Sequence, residues 1–164
     1  MKLRNIGINY SLVMSKLKSL DMSKLMDIIF IGSSIIFNVL VSFLYIATKL
    51  ENLVLQRALG RIILFLIIPF TITLSGYIKE KEERKTIISL VIILFYLFLE
   101  LLLDYILLIP FREILVLHIP YIVIFYAAAF CMIGVSFDKN KKMGFIVLVT
   151  FFVLLGCLIY MYIG

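Results

Sequence analysis

The chain has 164 residues, 64% of them hydrophobic and 16% charged, with a mean hydropathy of +1.18 and a formal charge of +6. A soluble domain is close to half apolar, so this composition belongs to the membrane class, and no polar stretch is long enough to enclose a core of its own. The Lys and Arg residues lie between apolar runs, where they orient spans in a bilayer, so nucleic acid is not an expected partner.

Residues 1–24 are basic and moderately apolar. Leu3, Ile6, Tyr10, Val13, Leu17 and Leu20 recur in threes and fours, which predicts a short amphipathic helix on the cytoplasmic leaflet, with Lys2, Arg4, Lys16, Lys18 and Lys24 on its polar side. The competing reading is a frayed leader, given Gly7 and Asn9. A secretory signal is not expected, because no compact apolar run precedes a small-residue cleavage site.

Residues 25–164 are expected to form an all-α polytopic membrane bundle of five transmembrane helices, over about 27–48, 61–78, 86–108, 114–136 and 144–162. Span one carries a polar stripe of Asp27, Ser34, Asn38, Ser42 and Tyr45, the pattern of a helix that meets its neighbours through hydrogen bonds and close contact. The connection Lys49–Gly60 is amphipathic and predicted to lie in the interface. Span two contains Pro69, which predicts a kink, with Thr71, Thr73 and Ser75 near enough to recapture backbone carbonyls. Lys79–Lys85 mixes charge signs and reads as a short solvated turn.

Span three carries Glu100 and Asp104 inside an apolar run that Pro110 ends. A carboxylate at that depth is costly, so two of them one turn apart need a partner or a use. Span four opens with His118 and Pro120. Its Ala127, Ala128, Ala129 and Gly134 predict close approach of a neighbouring helix. Phe137–Met143 reads as a basic turn before span five. Cys131 and Cys157 lie roughly 12 Å apart in depth, too far for a disulfide, and read as small packing residues.

Counting Lys and Arg gives five, four and three for the N-terminal segment, second loop and fourth loop, against three, one and none for the other compartments. The expected location is the cell membrane, with a cytoplasmic N-terminus and an extracytoplasmic C-terminus. In that topology Glu100 lies roughly 21 Å and Asp104 about 27 Å above Thr86. Arg61 lies about 25 Å above Ile78, His118 about 27 Å above Ser136 and Tyr45 about 27 Å above Asp27. These side chains are expected to converge on one layer. Arg61 would pair with Glu100 or Asp104, or all would serve as packing and interfacial groups. Asn38 completes the set of candidate polar residues.

No catalytic residue, metal site or cofactor is expected. The sequence lacks an HExxH or CxxC spacing, a nucleophile elbow and a glycine-rich phosphate loop. Five spans in this length resembles the tryptophan-rich sensory protein/translocator family in size, but the chain has no tryptophan. Three functions are compatible with the residues. The first is a non-enzymatic membrane component or subunit, partnered by a second copy or another membrane protein. The second is an ion- or proton-coupled carrier or channel using Glu100 and Asp104. The third, ranked last, is a membrane-embedded enzyme acting on lipid.

Overall fold

Apolar residues recurring at threes and fours decide which helix faces meet. In the computed structural model, backbone is described for residues 4–109 and 114–163, and side chains for 22–109 and 114–163. The expectations for the amphipathic face of residues 1–21 and for Pro110 and Arg112 lie outside these side chains. The elements are α1 (Arg4–Lys49), α2 (Leu53–Phe65), α3 (Ile67–Lys79), α4 (Arg84–Glu100), a π-helical turn (Leu101–Ile106), α5 (Leu115–Lys139) and α6 (Lys141–Tyr162). No strand occurs among the described residues. Five helical stretches are long and apolar enough to cross a membrane: Met22–Lys49, Leu53–Lys79, Arg84–Ile106, Leu115–Lys139 and Lys141–Tyr162.

These stretches close into a ring. α1 packs on α6, α6 on α5, α5 on α4, α4 on α3, and α2 and α3 return to α1. The core runs through Phe30, Phe37, Phe70, Tyr77, Leu90, Ile93, Leu97, Met132 and Leu154. Aromatic rings interlock edge to face, with Phe37 and Tyr96 centroids 5.9 Å apart and those of Tyr96 and Phe125 5.5 Å apart. Thr86, Leu90, Ile93, Leu97 and Glu100 form the inward stripe of α4. Their helical spacing carries Glu100 to the inside with its apolar neighbours.

The helix boundaries differ from those read in the sequence. α1 is unbroken from Arg4 to Lys49, so the segment expected as a separate amphipathic helix shares one helix with the first apolar stretch. No proline lies between Arg4 and Lys49 to break the helix between the two segments. The second stretch begins at Leu53, so most of the connection expected in the interface is helix; Asn52 caps it by accepting from the Leu55 N–H at 3.0 Å. That stretch is interrupted at Leu66, whose N–H turns to Ile63 and Leu64. Pro69 lacks the N–H that would bond the Phe65 carbonyl, and its ring crowds that carbonyl, so the helix restarts as α3. Thr71, Thr73 and Ser75 each donate to the carbonyl four residues back, at 2.7, 2.8 and 2.9 Å.

Two of the connections between stretches are tight. α1 ends with the Asn52 N–H on the Ala47 carbonyl, and α3 ends with the Glu82 N–H on Tyr77, the six-to-one bond of a Schellman turn. Glu51 and Lys81 occupy the left-handed positions, at φ 53° and 54°. The expected basic turn 137–143 is instead a single residue. Asn140 ends α5 and caps α6, its side chain accepting from Lys142 and Met143 at 3.0 and 3.2 Å. Gly144 makes this corner possible, because a Cβ there would lie 2.7 Å from the Phe137 backbone. Ala128 and Ala129 are buried as the small-residue pattern predicts, whereas Gly134 faces outward with nothing within 4 Å of where a Cβ would stand.

Candidate functional site

Lys85 at the start of α4 pairs with Asp138 at the end of α5, at 3.0 Å. With those two ends level, depth can be counted along both helices. Glu100 is about 24 Å above Arg84, and Tyr121 about 27 Å above Lys139. The two side chains meet. Tyr121 Oη donates to Glu100 Oε2, and Tyr96 Oη lies 3.0 Å from Tyr121 Oη. A phenol has one proton to give, so with Tyr121 committed to the carboxylate the chain runs Tyr96 to Tyr121 to Glu100. Glu100 is only 6% exposed and Tyr96 only 3%. The carboxylate is therefore held from two helices inside the aromatic core, where a hydrogen bond to a charged acceptor is stronger than one between neutral groups.

Directly beyond Glu100 the backbone widens into the π-helical turn, in which the Leu107 N–H reaches back five residues to Leu102 at 2.8 Å. Widened turns of this kind are rare and occur often at functional sites. This one contains Asp104, half-buried, and Tyr105, whose hydroxyl packs against Gly60 of α2. A Cβ at Gly60 would come within 2.5 Å of Tyr105 Oη, so the glycine is what admits the ring.

The other residues singled out in the sequence are dispersed. Arg61 is exposed on α2, its Nε donating to the Arg57 carbonyl at 3.2 Å, and it forms no ion pair with Glu100 or Asp104. Tyr45 is half-buried against the core. His118 is half-buried, and its Nδ1 is sealed away with no hydrogen-bond partner among the described residues. Asn38 is 1% exposed and faces α6, donating from Nδ2 to the Val147 carbonyl at 3.2 Å and to Thr150 Oγ1 at 3.0 Å. Ser34 and Ser42, on the same stripe, are buried and donate to carbonyls of their own helix at 2.9 and 2.7 Å. The stripe thus works as a packing surface.

Sequence reasoning missed Tyr121. Its signal was a tyrosine at a depth matching Glu100, and it was overlooked in favour of a charged partner. A second polar cluster was also missed, at the opposite end of the bundle. Tyr77, fully buried, donates to Asp27 Oδ1 at 2.7 Å. Lys139, whose side chain is 12% exposed, lies 2.7 Å from Glu82 and 3.8 Å from Asp27, with its ammonium 4.6 Å above the Tyr77 ring. Glu82 belongs to the segment expected to be only a solvated turn, yet it ties α3 to α5. No group of three His, Cys, Asp or Glu able to hold a metal occurs among the described residues.

Fold and site together define a class by geometry: an all-helical chain with five helices apolar enough to cross a membrane, holding a carboxylate between two tyrosine-bearing helices. Compared with protein-family models, curated proteins and solved structures, the chain matches none of them.

Proposed function

We propose that the protein is a non-enzymatic integral component of the cell membrane, N-terminus cytoplasmic, acting as a subunit or assembly partner of a larger membrane complex or of a second copy. One observation carries this reading. Two of the buried polar side chains, Glu100 and Asn38, are held by hydrogen bonds from one helix to another, through Tyr121 and to Thr150. The outward faces, by contrast, are apolar along every stretch, with Ile28, Phe43, Ile68, Val91, Phe130 and Phe152 all exposed. Such faces suit acyl chains or another helix, and interhelical hydrogen bonds suit a scaffold.

The test is purification in mild detergent after chemical crosslinking in cells. A partner band or homo-oligomer is expected, and a crosslink-free monomer would remove the proposal. Orientation is tested separately with Glu51→Cys and Lys81→Cys and a membrane-impermeant maleimide. Intact cells should label the first and spare the second; the reverse pattern would invert the topology.

A carrier for protons or cations is the second reading, favoured by the burial of Glu100 beside a widened helical turn. Proteoliposomes should then show a flux that Glu100→Gln and Asp104→Asn abolish. Equal flux in the double variant ends this reading.

A further inference from the structure

α2 carries two arginines, Arg57 and Arg61, that enter no ion pair among the described residues. Arg57 and Arg61 are four residues apart and both exposed, so they project from one face one turn apart. With Leu53 and Val54 they line a half-open groove of 240 Å³. Among the described residues no carboxylate forms an ion pair with either guanidinium. The single bond from Arg61 Nε to the Arg57 carbonyl holds the Arg61 head beside Arg57 and leaves its terminal amino groups without a protein partner there. Leu53 and Val54, one turn nearer the end of the helix, are strongly exposed apolar side chains. A groove with two unpaired forked donors on one wall and aliphatic surface on the other matches a group that is both anionic and greasy.

We infer that this groove holds the phosphate of an anionic phospholipid, clasped by Arg57 and Arg61, with the glycerol and upper acyl carbons lying over Leu53 and Val54. The inference rests on the membrane reading above. Depth agrees with it. Arg57 and Arg61 lie about 6 and 12 Å along the axis from Leu53, the first residue of that apolar stretch, which brackets the headgroup layer. Guanidinium is suited to phosphate because its fork can donate two parallel hydrogen bonds. The first turn of α2 adds the positive end of the helix dipole.

The experiment is native mass spectrometry of the full chain in uncharged detergent, offered equal amounts of phosphatidylglycerol and phosphatidylcholine. Wild-type protein should retain phosphatidylglycerol preferentially. The preference should fall about fivefold in Arg57→Gln or Arg61→Gln, and about thirtyfold in the double variant, from the attraction of each arginine to anionic lipid. Lys81→Gln, at the other end of the bundle, should leave it unchanged. Inorganic phosphate at millimolar concentration should not displace the lipid. Both arginines are exposed, so the variants should melt as the wild type does, and a melt check separates misfolding from lost binding. Equal retention of the two lipids, an unaffected double variant, an equal loss in Lys81→Gln, or displacement by free phosphate would each overturn the inference. Alkaline carbonate extraction of the same membranes scores the underlying reading. A chain released by carbonate loses both, whereas one that stays embedded and shows no lipid preference loses only this site.

Discussion

Removing the Tyr121 hydroxyl tests whether Tyr96, Tyr121 and Glu100 act as one chain. Tyr121→Phe keeps the ring, and with it the packing against Tyr96, whose centroid is 5.7 Å away. It deletes the donor to Glu100 and the acceptor for Tyr96. Hydrogen bonds to charged groups contribute about 1.5–3 kcal/mol in water-soluble proteins. Between helices in a bilayer they average about 0.6 and reach about 1.7 kcal/mol, because the unfolded chain also finds partners there. Burial of Glu100 argues for the upper end of the second range, so Tyr121→Phe should cost about 1.5 kcal/mol. Tyr96→Phe leaves the Tyr121–Glu100 bond in place and should cost about 0.5–1 kcal/mol. In the double variant the stranded Tyr96 hydroxyl is gone as well, so the two costs should fall short of adding by at least about 0.5 kcal/mol. The assay is reversible unfolding in mixed micelles with rising dodecyl sulfate, followed by circular dichroism. Costs that add within about 0.3 kcal/mol would refute the chain and leave two independent phenols.

Gly144→Ala should be among the most damaging single-methyl additions in the molecule. Its Cβ would meet the Phe137 backbone at 2.7 Å, which cannot rotate away, and overpacking of this kind costs about 1–3 kcal/mol in the same unfolding assay. Lys139→Ala removes the cation that Glu82 and Asp27 share beside Tyr77 and should lower the midpoint clearly, whereas Lys85→Ala, at an open surface pair, should barely move it. Equal effects would show that the Lys139 cluster is no more buried in energy than an exposed one. Lys81→Gly relieves a left-handed backbone position at a Schellman turn and should stabilise by about 0.5–1 kcal/mol. A loss of stability would mean that the lysine side chain matters more than the backbone.

Hydropathy alone made the five apolar stretches legible, because about twenty consecutive apolar residues leave few alternatives. Their ends were less so. Pro69 announced a disturbance, but whether it bends or interrupts a helix depends on local backbone relaxation, and the break at Leu66 lies a turn earlier than the proline. The π-helical turn after Glu100 has no sequence signature, and it contains the Tyr105 whose ring packs on Gly60. The candidate site was half legible. A carboxylate inside an apolar run marked Glu100 as needing a partner, and depth counting supplied its level. Depth says nothing about azimuth, however, and Arg61, at a comparable depth, points away from the bundle. Among the partners that meet the carboxylate in its aromatic core is the phenol of Tyr121, a neutral donor that adds no second charge of its own to desolvate.

The pairing of α1 with α6 has a consequence for how the chain is made. Asn38 finds its acceptors on α6, 109 and 112 residues further along. At about 5–20 residues per second, a ribosome needs roughly 5–20 s to supply them. Through that interval the primary amide of α1 lacks its α6 acceptors and is open to any passing neighbour. Only once α6 has been made can it close the ring by packing on both α1 and α5.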